Sequence, residues 1–75
     1  MIRTEEIYII SFSSTSSCNS YDLAINLNTG YWNVESLKDG YTYDEGHFMT
    51  QVKNCTNEEL NTFSYNIITN FIRRK

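Results

Sequence analysis

Residues 56–73 read TNEELNTFSYNIITNFIR, and the fold follows from how this run behaves. Thr56 and Glu59 stand at capping-box spacing: the threonine hydroxyl can accept the N–H of residue 59, and the glutamate carboxylate can reach back to the N–H of residue 56. Glu58 and Glu59 suit the positive end of a helix dipole, and Arg73, Arg74 and Lys75 the negative end. Between them Leu60, Phe63, Ile67, Ile68, Phe71 and Ile72 recur at helical spacing as one apolar stripe. The spacing predicts a helix over about 57–73. Cys55 is placed to staple onto Leu60, and Ile67 to bury itself against Leu23, Ile25 or Phe12. A single striped helix needs a surface to lie on, and the rest of the chain must supply it.

Upstream, residues 6–12 (EIYIISF) are β-branched and aromatic and read as a strand. Tyr8, Ile10 and Phe12 point one way, Ile7 and Ile9 the other. Apolar residues on both faces place this strand inside the sheet or cover it on both sides. Residues 21–27 alternate, with Tyr21, Leu23, Ile25 and Leu27 inward, as in a strand buried on one face. Asn28-Thr29-Gly30 is a turn, and residues 31–36 form the return strand. A two-residue Thr29-Gly30 loop would pair Leu27 with Trp32 and Ile25 with Val34. A Gly30 bulge would instead pair Leu27 with Tyr31 and Ile25 with Asn33. The first is favoured because it keeps Trp32 and Val34 in the core. Asp39-Gly40 marks a second turn, and Asp44-Glu45-Gly46 a third. They bound two shorter candidate strands, 41–43 and 47–53. Residues 13–20 (SSTSSCNS) lack a period and read as a polar loop.

Strands first and one helix last imply an α+β fold: a small antiparallel, meander-like sheet of three to five strands, with the helix packed on one face. The 75 residues make one domain, 1–75. So short a chain buries a limited core, worth on the order of 3–5 kcal/mol of stability. Association with a partner is therefore an immediate question.

Charge and composition narrow the function classes. The formal net charge is −3, which disfavours a polyanion-binding surface. Tyr8, Tyr21, Tyr31, Trp32, Tyr41 and Tyr43 would suit base stacking only beside a basic groove, yet only Lys38 and Lys53 interrupt the middle of the chain. No direct nucleic-acid contact is expected. The N-terminus, MIRTEE, lacks the features of a secretory signal, and no run approaches the ~18 apolar residues of a membrane span. The expected setting is the cytoplasm, away from membranes, with Cys18 and Cys55 as unlinked thiols.

Two function classes follow. In the first, the chain is a small non-enzymatic protein that occupies a surface of a larger partner. Small inhibitors carried by phages and other mobile elements work this way, an analogy of size and charge alone. The candidate partner-binding residues are Asp39, Tyr41, Tyr43, Asp44 and Glu45, where carboxylates alternate with amphipathic rings and suit a basic protein surface. In the second class, His47 works with Asp44 and Glu45 at a metal, or with a cysteine thiol, as a small enzyme. The metal spacing is irregular and the cysteines lack a flanking motif. No cofactor is expected. The apolar second face of the first strand needs a cover: the loops that carry Tyr41 and Tyr43, a protein partner, or a second copy of the chain.

Overall fold

A computed structural model describes residues 1–14 and 19–74. Five strands, β1 (Ile2–Arg3), β2 (Ile7–Ser13), β3 (Ser20–Asn26), β4 (Tyr31–Ser36) and β5 (Thr42–His47), precede one helix, α1 (Asn57–Arg74). The strands pair antiparallel in chain order, β1-β2-β3-β4-β5, so the sheet is a meander with β1 and β5 at its edges. The expected α+β architecture is present, with the helix across one face.

The helix forms as its sequence predicts. Thr56 donates its N–H to Glu59 Oε1 at 3.0 Å, and Glu59 donates its N–H to Thr56 Oγ1 at 3.2 Å. This reciprocal cap satisfies two donors that an uncapped helix start would leave without partners. Leu60, Ser64 and Phe71 are buried, while Phe63, Ile67 and Ile68 are half-buried against the core. Ile67 thus docks at the margin of the core. Ile72 falls off the stripe and is exposed. The sheet contributes Tyr8, Tyr21, Leu23, Ile25, Leu27 and Val34, with Val52 from the loop before the helix. Phe71 closes this core by meeting the rings of Tyr21 and Phe12 edge-on, at centroid distances of 5.1 and 5.9 Å. At the other end Arg3 holds β1 to the helix start, donating to Asn57 Oδ1 at 2.6 Å and to the Lys53 carbonyl at 3.3 Å.

The β3–β4 register differs from both expectations. Ile25 pairs with Trp32 and Leu23 with Val34. The favoured reading is displaced by two residues, which preserves which side chains face the core. Leu27 is the cause. It leaves the ladder, donates its N–H to the Glu6 carbonyl and accepts from the Val52 N–H, at 2.8 and 3.1 Å. The loop is therefore Leu27-Asn28-Thr29-Gly30, closed by the Gly30 N–H on the Asn26 carbonyl at 2.8 Å. The Asn26 carboxamide oxygen also accepts the N–H groups of Asn28 and Thr29. Gly30 has φ +80°, and a Cβ there would lie 2.8 Å from the Thr50 carbonyl oxygen, so this position requires glycine. The next hairpin repeats the device: in Leu37-Lys38-Asp39-Gly40, Gly40 at φ +70° donates to the Ser36 carbonyl at 2.8 Å.

The remaining differences lie after residue 40. The expected third turn, 44–46, is strand: Asp44, Glu45 and Gly46 pair with Val34, Asn33 and Trp32. The candidate strand 47–53 does not form beyond His47. Residues 48–54 instead pack along the β3–β4 turn, with the Phe48 N–H on the Gly30 carbonyl at 2.8 Å. Ile2–Arg3 adds a short strand that residue type alone did not mark. Of the polar loop 13–20, Ser13 and Ser20 pair with each other as strand ends. Thr15, Ser16, Ser17 and Cys18 lie outside the described residues.

Candidate functional site

Side chains of paired residues share a face, so the register defines two surfaces. The helix covers one. On the other, a row across all five strands reads Ile2, Ile9, Ala24, Asn33, Glu45. One row to one side come Ile7, Asn26, Tyr31 and His47; to the other side, Ser11, Asp22 and Glu35. Among the described residues no element lies over this face. Ile2 is 58% exposed, and Ile7, Ile9 and Ala24 are only half-buried. The face has an apolar corner on β1–β2, continued by Ala24, and an acidic half on β3–β5.

Its charge is one-sided. Asp22, Glu35 and Glu45 are acidic. The described lysines and arginines all lie elsewhere: Arg3 toward the helix start, Lys38 in a turn, Lys53 in a loop, Arg73 and Arg74 on the last helical turn. Asp22 and Glu35 are direct cross-strand partners. Asp22 accepts the Ser11 hydroxyl at 2.6 Å, and Glu45 accepts the Tyr31 hydroxyl at 3.0 Å. That bond favours the protonated phenol and holds the Tyr31 pKa above its ordinary value, helped by partial desolvation and by the charges of Glu45 and Glu35. The His47 ring packs against Tyr31 at 5.0 Å.

The structure divides the five residues singled out in the sequence. Asp39 accepts the Tyr41 N–H at 3.0 Å within its turn. Tyr43 is the extra residue of a bulge, because Val34 pairs with Asp44 while Glu35 pairs with Thr42. Its ring turns to the helix side and meets Tyr21 edge-on at 5.9 Å. The charge of Asp39, foremost, raises the Tyr43 pKa, and desolvation adds to it. Tyr41 leans on Tyr43 at 5.3 Å and is 66% exposed. Asp44 faces the helix side and pairs with Arg74. Only Glu45 belongs to the open face. Neither tyrosine covers Ile7 and Ile9, so of the covers considered from sequence the loop is eliminated.

For the enzymatic alternative, His47 and Glu45 share the open face, with Tyr31 between them. Asp44 lies on the opposite face and cannot join them at one ion. Among the described residues no three His, Cys, Asp or Glu side chains converge to hold a metal. Cys55 is a half-buried free thiol packed against the core, and Cys18 is outside the described residues. No helix among the described residues is long and apolar enough to cross a membrane.

Residue-type reasoning missed Asp22, Glu35 and Tyr31 as site members. The signal was present: Asp22 and Glu35 are outward positions of two strands that the hairpin must bring together, once the register is known. In class, the chain is a small α+β domain with a one-sided sheet. Comparisons with protein-family models, with curated proteins and with solved structures find no significant match.

Proposed function

We propose that the chain is a small non-enzymatic binding protein that docks the open face of its sheet on a basic surface of a larger protein, and acts by occupying that surface. One observation carries this reading: the uncovered face places Ile2, Ile7, Ile9 and Ala24 beside Asp22, Glu35 and Glu45, with no lysine or arginine among its described residues. Like charges directly across a ladder oppose folding by roughly 0.2–1 kcal/mol. An arginine or lysine from a partner, set between Asp22 and Glu35, would reverse the sign of that interaction. The isoleucines would supply the apolar contact. A second copy is the poorer occupant, because face-to-face dimerisation would stack the same acidic half against itself or against uncharged isoleucines.

The test is affinity capture from source-cell extract with the captured protein identified by mass. Ile9→Asp and Glu35→Lys variants should each lose it, while Tyr41→Ala and Asp39→Asn should keep it. Retention by both face variants, with loss in the Tyr41 and Asp39 variants, would move the surface to the 39–43 turn.

A further inference from the structure

The open face holds one side chain of a different kind from its carboxylates. His47, the single histidine of the chain, ends β5 and pairs with Tyr31 across the β4–β5 ladder. Its side chain is exposed, and β5 is an edge strand. The Tyr31 side chain joins it to the acidic half of the face: its ring meets the imidazole at 5.0 Å, and its hydroxyl donates to Glu45 Oε2 at 3.0 Å. Glu45 itself stands two residues before His47 on the same strand and the same face. On β4 the other charge of this side is Glu35, and on β3 it is Asp22, the cross-strand partner of Glu35. The other members of the His47 row, Ile7 and Asn26, are uncharged, as are residues 48–52 that follow it. Carboxyl groups ordinarily titrate near about 4 and phenols near about 10, and the Tyr31 phenol is held higher still by Glu45. Histidine is the side chain whose charge ordinarily changes between about pH 5 and 8.

We propose that His47 makes docking through the open face pH-dependent: as pH falls, its protonation sets a positive charge beside Glu45 and weakens the hold of this face on a basic surface. The inference rests on the docking reading above and names its regulation. Two effects act in the same direction. The imidazolium offsets part of the field of Asp22, Glu35 and Glu45, and it repels a lysine or arginine brought up to them. Neutral His47 leaves the three carboxylates unopposed by any basic group of their own face.

The probe is an oligo-arginine peptide, because guanidinium keeps its charge over the whole range. Its binding to wild type, His47→Gln and Glu35→Lys is measured at about pH 7.5 and about pH 5.5. Wild-type affinity should fall about threefold at the lower pH, whereas His47→Gln should show the same affinity at both. Glu35→Lys should bind poorly throughout, which places the peptide on the open face. Far-UV circular dichroism at both pH values checks the fold. Binding by wild type with no pH dependence, or an equal loss in His47→Gln, would overturn the role of His47 and leave the docking reading standing. Unfolding of wild type at the lower pH would overturn that role as well, since the loss would belong to the fold. No binding by wild type at either pH, or full binding by Glu35→Lys, would contradict docking through this face and the inference with it.

Discussion

Asp22 and Glu35 face each other across the β3–β4 ladder, on the side of the sheet that no described element covers. No described lysine or arginine shares that side with them. A folding-optimised sheet would place Lys or Thr at one of these positions. Like charges directly across a ladder oppose folding, and the proposed docking would set a partner's cation against this pair.

Glu35→Gln should therefore separate stability from binding. Removing one charge relieves the repulsion, with an expected gain of about 0.2–1 kcal/mol at low salt that shrinks as salt is added. Partner affinity should fall in the same variant. Urea denaturation at two ionic strengths measures the first effect. A stability loss would mean that Glu35 has a favourable partner.

Ser64 makes a second case. Its hydroxyl is fully buried in the helix–sheet interface without a hydrogen-bond partner. Alanine fits the same space, forms helix better and buries no polar group, so Ser64→Ala should stabilise by about 0.5–1 kcal/mol. Thermal unfolding should show a rise of a few degrees. A lowered melting temperature would mean that the hydroxyl is in fact satisfied.

Much of this was legible in the sequence, and the part that was not has a physical pattern. The helix, its cap and its stripe are local, and Thr56, Glu59 and Leu60 behave as their spacing requires. The strand faces are also local, because alternation fixes them. Register is not local: it turned on Leu27, whose backbone is bonded to Glu6 and Val52, far away in sequence. The 44–46 segment misled because Asp-Glu-Gly is turn chemistry, yet Gly46 is there to admit the Trp32 ring. The candidate site needed both register and face. Alternating acids and tyrosines at 39–45 looked like one cluster, and the bulge at Tyr43 divides it between two sides of the sheet.

Gly46→Ala tests that reading of the edge strand. The new methyl would meet the indole at 2.5 Å, so either the ring or the strand must shift, at a cost of about 1–3 kcal/mol. The near-ultraviolet signal of Trp32 should change with it. Unaltered stability and tryptophan signal would mean that the ring is free to move aside.

Tyr31 should titrate above its ordinary value of 10.0, chiefly through its hydrogen bond to Glu45. A raised folded-state value means that folding favours the protonated phenol. This contribution to stability is present below pH 10 and is lost as pH rises through the folded value. Site-resolved NMR titration should find the Tyr31 midpoint lowered in Glu45→Gln. An unchanged midpoint would place the Glu45 carboxylate elsewhere in solution.

Docking through the open face is tested most directly by one comparison. Wild type and an Ile9→Lys, Glu35→Lys double variant, both verified as folded, are used to capture partners from source-cell extract at low and moderate salt. The expected result is a basic protein held by wild type at low salt, released as salt rises, and absent from the double variant at both. Equal capture of the same protein by the double variant would contradict docking through this face.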